Sequence, residues 1–316
     1  MGEFELIRRF FMPLANKAMT DQLVLGPGDD CAIQRVPEGR DLVFSVDTLV
    51  EGVHFPENYS PYYLGWRALA VATSDLAAMG ATPVCFTLAL TMPEAQPEWL
   101  ADFAHGLAKA SDAFGIALAG GDTTRGPLAV SVQVHGTVAQ GSAIRRSGAR
   151  PGDLICVSGP LGAAGAALDF LGATHPGADQ QAVLARYHFP EPRFVLGQQL
   201  IGKASAAIDI SDGLLADLDH ILEQSGVGAE LDAKNIPMLP ALHRLKGDAA
   251  LSLALTAGDD YELCVTIAPD QYAALAPEVQ GALIIIGCIQ QELGLRMRGA
   301  EMTEAPVGFD HFGRSV

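Results

Sequence analysis

Segments with the alternation of a β-strand and segments with the periodicity of an α-helix follow one another along the whole chain. One stretch, RRSGARPGD at residues 145–153, interrupts this order with charge, glycine and proline. Interleaved strands and helices are typical of α/β architecture, and 316 residues are many for a single hydrophobic core. We therefore predict an α/β fold (α+β type) with two α/β domains, residues 1–148 and 149–316.

Local signals give the bounds of several elements. Ser60 and Pro61 suit a helix start, and Gly80 suits its end. A second helix is predicted over residues 97–114, with a regularly spaced apolar face. The polar segment 173–181 is expected to be a loop.

The composition is that of a folded protein, with 49% hydrophobic and 18% charged residues. The net charge is −17, from 37 acidic and 20 basic residues, and no basic cluster occurs. Binding to nucleic acid or to an anionic membrane is therefore disfavoured, because both depend on clustered Lys and Arg. An acidic protein can still bind polyphosphate when divalent cations stand between its carboxylates and the ligand.

The termini and cysteines predict a cytoplasmic protein. The first residues include Glu3 and Glu5 and lack the hydrophobic region of a signal peptide, and no run of about 18 apolar residues occurs. The cysteines are far apart and lie in apolar sequence, so we expect core residues in a reducing compartment. They are Cys31, Cys85, Cys156, Cys264 and Cys288.

The segment GGDTTRG at residues 120–126 follows an apolar run and precedes an alternating one, which predicts a tight connection between two strands. Its glycines would let the main chain approach a ligand, Asp122 could hold a cation, and Arg125 could bind a phosphate. Taken alone, the segment is equally compatible with a hairpin turn whose polar residues are solvated.

Six aspartates lie at strand ends, in glycine turns or on an apolar helix face. Each one alone is more often a cap or turn residue than a ligand. Together they favour a metal site, because carboxylates that converge repel one another unless cations neutralise them. Oxygen ligands select Mg²⁺ or Mn²⁺ over zinc. The six are Asp30, Asp47, Asp75, Asp122, Asp209 and Asp212.

Other nucleotide and nucleophile motifs are absent from the sequence. There is no G-x-x-x-x-G-K-[ST] segment and no G-x-S-x-G segment. GPLGAAG at residues 159–165 has Leu161 where a dinucleotide fingerprint has its second glycine, which disfavours a Rossmann site. His54 stands apart from other metal-binding residue types, and such a histidine is more often structural than a ligand.

Eight short motifs, taken in order, resemble those of the thiamine-monophosphate kinases, within the aminoimidazole ribonucleotide synthetase superfamily. Each motif is weak alone, whereas the ordered set is specific and spans the chain. The motifs are GDDCA (28–32), SVDTLVEGVHF (45–55), SDLAAMG (74–80), GGDTT (120–124), RSGA (146–149), DISDGL (209–214), GDDYE (258–262) and GFDHF (308–312).

The resemblance implies phosphorylation of thiamine monophosphate to thiamine diphosphate with ATP and several Mg²⁺ ions. It also implies a homodimer in which the N-terminal sheet pairs with its copy, and a C-terminal α/β domain that completes the site. The implied metal positions are Asp30, Ser45, Val46 (through its carbonyl), Asp47, Asp75, Asp122, Asp209 and Asp212. The implied ATP positions are Gly121, Asp122, Arg146 and Ser211, and the substrate positions are His54, Glu262 and Phe312.

Within these sets, Asp47, Asp122 and Arg146 are expected to be catalytic. Arg146, in place of Arg125, is expected to bind phosphate. Glu262 is expected to be the counter-charge of the cationic thiazolium ring.

Three alternatives remain at this stage. A synthetase acting on a formylglycinamidine ribonucleotide would share the ATP site. A selenophosphate synthetase would need a reactive N-terminal cysteine, for which Cys31 is a poor candidate. A regulator that binds metal or nucleotide without catalysis would keep the acids and the glycine turns.

Overall fold

The computed structural model describes residues 2–15 and 21–300. The chain divides into two compact units: Met1–Leu76 with Ala81–Ala143, and Ala77–Gly80 with Ile144–Val316. Both units combine a sheet with helices, as expected for α/β domains. Within the described residues, no helix has both the length and the apolar composition needed to cross a membrane.

The first unit contains a four-stranded mixed sheet of order β3-β6-β4-β5 and a small β1-β2 sheet. In the larger sheet β6 is antiparallel to β3 and β4, and β4 is parallel to β5. The strands are β1 Leu23–Leu25, β2 Ile33–Gln34, β3 Arg40–Val50, β4 Thr82–Met92, β5 Ala117–Arg125 and β6 Ala129–Ala139. The helices are α1 Glu3–Leu6, α2 Met12–Ala15, α3 Pro61–Ala78 and α4 Pro97–Phe114, with a π-helical turn at Ile7–Phe11.

Helices α3 and α4 approach each other closely through glycine. A Cβ on Gly65 would lie 2.2 Å from the Phe103 carbonyl oxygen, and one on Gly106 would lie 1.9 Å from that of Tyr62. Helix α4 ends at Gly115, whose φ of 63° is in the left-handed region that glycine adopts without strain.

One side of edge strand β3 is apolar and exposed. Leu42, Phe44 and Val46 are 40%, 62% and 61% exposed. In the strand pairing, Phe44 lies opposite His135 of β6 and Val46 lies opposite Gln133. A long edge strand with exposed apolar side chains is suited to association with another chain.

All of the GGDTTRG segment except Gly126 lies inside β5, so the expectation of a connection there is wrong. It is not part of a hairpin either, because β4 lies between β5 and β6. Glycine permits this close pairing: a Cβ on Gly121 would lie 2.0 Å from the Leu88 carbonyl oxygen of β4.

The second unit contains a six-stranded mixed sheet of order β12-β9-β11-β7-β10-β8, in which only β12 and β9 pair in parallel among the described strands. Its strands are β7 Leu154–Val157, β8 Ala204–Asp209, β9 Gly228–Asp232, β10 Leu263–Ile267, β11 Ile284–Gln290 and β12 Gly294–Arg298. Its helices are α5 Ala163–Ala167, α6 Ala178–His188, α7 Phe194–Leu200, α8 Leu214–Ser225, α9 Pro240–Lys246, α10 Ala250–Thr256, α11 Pro269–Ala273 and α12 Pro277–Gly281.

Helix α6 begins within the segment expected to be a loop. Gln180 closes its first turn, because the Gly177 N–H donates to the Gln180 side chain at 2.8 Å. Val183, Leu184 and Tyr187 form the buried side of this helix. The polar residues at the start of the helix obscured this short apolar stripe in the sequence.

The cysteines are only partly as expected. Cys85, Cys156 and Cys264 are buried free thiols, whereas Cys31 is exposed, so its assignment to the core is wrong. Burial raises the pKa of Cys85 to about 11 and that of Cys156 to about 12, so both remain protonated at neutral pH.

Candidate active site

The first unit brings together three of the predicted metal positions. The Ser45 hydroxyl on β3 donates to the Asp75 carboxylate on α3. Asp47 lies two residues beyond Ser45, so strand alternation places it on the same side of the sheet. Asp75 thus lies on the inner face of α3, as its position in the apolar stripe predicted, and it is half-buried.

Three other predicted residues of this unit lie in β3, after it and before it. The Val46 side chain points to the opposite side of the sheet and is exposed, so only its backbone could face Ser45 and Asp47. His54 lies in the turn after β3, where its Nδ1 accepts the Val50 N–H at 3.0 Å. Asp30 is exposed in the segment between β1 and β2.

Asp122 lies apart from Asp47. Asp122 is on β5 and Asp47 is on β3, which are the two edges of the sheet. Three strand spacings separate these edges, about 14 Å between backbones. The two carboxylates therefore do not share one cation within a single protomer.

The oxygen donors of the first unit match one mode of cation binding. Among residues 2–15 and 21–300, no three His, Cys, Asp or Glu side chains are close enough together to hold a metal ion. Mg²⁺ is seldom held by an all-protein cage; it is usually bound by one or two carboxylates together with water and substrate phosphates. The oxygen donors of Ser45, Asp47 and Asp75 fit that mode of binding.

In the second unit, the predicted residues Asp209, Ser211 and Asp212 follow one another at the end of β8. Asp209 is 4% exposed and pairs with Leu263, while Ser211 and Asp212 are half-buried in the loop before α8. The Asp217 carboxylate in the first turns of α8 holds this loop. It accepts the N–H groups of Ser211 at 2.9 Å and Asp212 at 3.0 Å.

A second loop, residues 258–262, packs against the first. The Asp259 N–H donates to the Ser211 carbonyl at 2.9 Å, and a Cβ on Gly258 would lie 2.3 Å from the same oxygen. Asp259 and Tyr261 have φ values of 70° and 50°, which are strained for residues other than glycine. The Tyr261 hydroxyl donates to Asp259 at 3.0 Å and supports this conformation.

Glu262, the predicted substrate residue, is fully buried within a polar cluster. It accepts hydrogen bonds from Ser158, from Arg186, and from Arg193 Nε at 2.8 Å. A Cβ on Gly159 would lie 2.5 Å from its Oε1. The carboxylate is thus already matched by two guanidinium groups, so a role as counter-charge to the thiazolium ring is not supported by this geometry.

The two buried acids of the 258–262 loop differ in protonation. Burial by itself would raise the pKa of Glu262, but the hydrogen bonds and charges of Arg193 and Arg186 outweigh it, and the pKa is lowered. Burial raises the pKa of Asp260 to about 8, against the opposing hydrogen bond from the Gly162 N–H. Asp260 is therefore mostly neutral at pH 7, whereas Glu262 is ionised.

Replacing Glu262 by Gln is expected to lower the free energy of unfolding at pH 7 by about 3 kcal/mol, because two arginines lose their buried partner. Because folding lowers the pKa of Glu262, its carboxylate stabilises the folded state fully at pH values above its ordinary pKa of 4.5. This contribution is lost as the pH falls from 4.5 through the lower pKa of the folded state. The difference from wild type should therefore narrow in acid. Urea denaturation of the full chain at pH 7 and at a series of pH values below 4.5 measures both effects.

Glu191 provides a matched control for Glu262. It is 64% exposed and lies 3.8 Å from Arg193. Its replacement by Gln is expected to change the unfolding free energy by less than about 0.5 kcal/mol. Equal effects of the two substitutions would contradict the importance of the buried pairing.

Arg146, the predicted phosphate ligand, is exposed in a loop held by the last residue of α8. The Ser225 hydroxyl receives the N–H groups of Gly148 at 3.1 Å and Ala149 at 3.2 Å and donates to the Arg146 carbonyl at 3.3 Å. The Ser211 loop is at the other end of this 12-residue helix, which is about 18 Å long. The Arg146 loop and the Ser211 loop therefore lie at opposite ends of α8.

The sequence did not reveal the residues that hold these loops. Arg186, Arg193 and Ser225 lie on helices or beside them, where polar residues are ordinary. Asp217 lies on the apolar side of α8, with Leu214 and Leu218. A weak signal was present in Asp217, an acid in the first turns of a helix that follows a glycine. Phe312 and Phe309 lie outside the described residues.

Comparison with known proteins matches both parts of the chain. Residues 28–138 match the family described as AIR synthase related protein, N-terminal domain, and residues 150–292 match the corresponding C-terminal domain. The thiamine-monophosphate kinases of Salmonella typhimurium and Escherichia coli strain K12 are each 41% identical over 98% of this chain and 98% of their own length.

Solved structures agree in fold. Thiamine-monophosphate kinase from Stenotrophomonas maltophilia K279a superposes with a TM-score of 0.87 at 44% identity, covering 95% of this chain and 97% of that one. AaThiL complexed with AMPPCP and TMP gives a TM-score of 0.81 at 28% identity, covering 98% and 97%. The chain therefore belongs to the AIR synthase related family and, within it, to the thiamine-monophosphate kinases.

Proposed function

We propose that this chain transfers the γ-phosphoryl group of ATP to thiamine monophosphate, giving thiamine diphosphate and ADP. The observation that carries the proposal is the 41% identity with thiamine-monophosphate kinases over 98% of the chain. The related AaThiL structure holds AMPPCP, an analogue of ATP, together with TMP. The acceptor is a phosphate monoester with a second pKa of about 6, so its attacking oxygen is ionised at neutral pH and no general base is required.

The site must offset the repulsion between two anions, ATP and thiamine monophosphate, when they come into contact. Mg²⁺, when bound, would neutralise the phosphate oxygens and align the reacting groups. We assign the metal positions to Asp30, Ser45, the Val46 carbonyl, Asp47, Asp75, Asp122, Asp209 and Asp212.

Gly121, Asp122, Arg146 and Ser211 are assigned to ATP, and among these Arg146 offers a guanidinium fork that matches phosphate oxygens. His54, Glu262 and Phe312 are assigned to the substrate. The Glu262 carboxylate would contribute to the substrate site as part of an ion-paired cluster with Arg186 and Arg193, because its charge is already paired with theirs. Residues 1–148 and 149–316 are the proposed functional domains.

We also infer a homodimer in which edge strand β3 of one protomer adjoins β5 of its partner. Leu42, Phe44 and Val46 form an exposed apolar surface, and its burial against a partner is favourable. This pairing would bring the partner's Asp122 towards Asp47, two positions that lie about 14 Å apart in one protomer.

Phe44→Asp tests the dimer surface. A charge at the most exposed aromatic residue of β3 should weaken dimerisation at least about 10-fold, measured by sedimentation equilibrium. Val195→Asp is the control, because Val195 is 70% exposed in the second unit, on α7. A dimer that survives Phe44→Asp unchanged would contradict the assignment of this surface.

The activity itself is tested by ADP formation from ATP and Mg²⁺ with candidate acceptors. We expect turnover with thiamine monophosphate and none with thiamine or with a formylglycinamidine ribonucleotide. Turnover with the ribonucleotide instead would favour a synthetase, and nucleotide binding without ADP formation would favour a regulator.

A further inference from the structure

The loop that carries Ser211 and Asp212 is fixed by a side chain with no assigned role. Asp217 is 2% exposed, and its Oδ2 accepts the N–H groups of Ser211 at 2.9 Å and Asp212 at 3.0 Å. Two consecutive backbone donors therefore converge on one buried group.

Consecutive N–H groups of this kind form a concave site that often binds the phosphate of a ligand. Here the protein's own carboxylate fills it. Because Gly213 has a φ of 111°, the chain can turn sharply after Asp212 and enter α8 while its N–H groups remain directed at Asp217. The N–H groups of Ser211 and Asp212 are thus hydrogen-bonded within the protein.

The other side of the loop is fixed independently. The Ser211 carbonyl accepts the Asp259 N–H at 2.9 Å, and the Ile210 carbonyl accepts the Tyr261 N–H at 2.8 Å. The backbone is therefore held on its donor side by Asp217 and on its acceptor side by residues 258–261. The Ser211 hydroxyl and the Asp212 carboxylate project from a backbone whose own polar groups are largely satisfied.

We propose that Asp217 is a positioning residue for nucleotide binding: it occupies the backbone donors of Ser211 and Asp212, so that the Ser211 hydroxyl and the Asp212 carboxylate, rather than these main-chain N–H groups, meet the metal-bound nucleotide. This rests on the proposed assignment of Ser211 to ATP and Asp212 to metal. Supporting groups of this kind usually contribute 10- to 100-fold, about 1–3 kcal/mol, to the affinity of a metal site.

The test measures binding of AMPPCP with Mg²⁺ by calorimetry. Asp217→Ala should weaken binding at least about 10-fold, because two consecutive N–H groups lose their acceptor and the loop relaxes. Asp217→Asn keeps one oxygen that can accept these bonds and should stay within about 3-fold of wild type. If the Asn variant binds as weakly as the Ala variant, the acceptor geometry is not what matters and the proposal fails.

Asp153→Ala is the matched control for lost stability. Asp153 is a 4% exposed carboxylate of the same unit that accepts the Arg150 N–H at 2.9 Å and the Ser205 hydroxyl at 2.6 Å. At a temperature where both Ala variants are folded, Asp153→Ala should leave AMPPCP affinity within about 2-fold of wild type. Equal losses in the two variants would reduce Asp217 to a purely structural residue and overturn the proposal.

Hydrogen exchange covers the case in which Asp217→Ala does not fold. The amides of Ser211 and Asp212 should be protected in the nucleotide-free wild type and in Asp217→Asn. Exchange at the rate of open loop amides in the wild type would overturn the proposal. Because both readouts are independent of turnover, failure to phosphorylate thiamine monophosphate would refute the proposed function and leave this inference standing.

Discussion

Asp47→Asn is expected to lower kcat by about 10³-fold at every Mg²⁺ concentration, while the fold remains intact. Asn has nearly the same shape as Asp but lacks the negative charge that a hard divalent cation requires. Asp47 lies on the same side of β3 as Ser45, whose hydroxyl donates to Asp75, so the substitution removes charge beside a polar pair that already exists. Raising the Mg²⁺ concentration should not restore turnover, because a metal held by Asp47, as proposed, would also orient the phosphates.

The measurement is a titration of ADP formation against Mg²⁺, with circular dichroism and thermal unfolding as checks of the fold. Asp102→Asn is the control, since Asp102 is exposed on α4 and the substitution makes the same change of charge. Recovery of near-normal turnover by Asp47→Asn at high Mg²⁺ would remove Asp47 from the catalytic group and leave it a weak contributor to metal affinity.

Elements with strong end signals were predicted well from the sequence. Helix α4 spans Pro97–Phe114, the predicted bounds, because proline marks its start and Gly115 its end. Strand β5 was mistaken for a loop because its glycines and Asp122 are typical turn residues. The close approach of β4, which only glycine permits at Gly121, is a tertiary contact that local sequence does not show.

The predicted site shows the same limit. Position in an apolar stripe was enough to place Asp75 inward, since helical periodicity is a local property. The arginine partners of Glu262 depend on which distant side chains pack nearby, so no spacing rule indicates them. The acceptor role of Asp217 depends on how the loop before α8 folds back onto the helix, which its position in the sequence only weakly signals. The separation of Asp47 from Asp122 depends on strand order, and strand order is set by the whole sheet.

Strand order also gives the sharpest test of the assembly. If Asp47 of one protomer and the partner's Asp122 serve the same site, each variant homodimer is defective at both of its sites. A heterodimer of Asp47→Asn and Asp122→Asn subunits would instead concentrate both defects in one site and leave the other intact. Mixing two inactive proteins should therefore restore activity.

Random exchange of equal amounts makes half of the dimers mixed, each with one intact site, so about a quarter of wild-type activity is expected. The experiment unfolds and refolds the two variants together, with each variant refolded alone as the control. Refolding Asp102→Asn with Asp47→Asn measures the activity that remains when an active subunit is mixed with a defective one. Recovery no greater than that of the separately refolded variants would mean that Asp47 and Asp122 serve the site of their own protomer, and the proposed β3–β5 pairing between protomers would have to be abandoned.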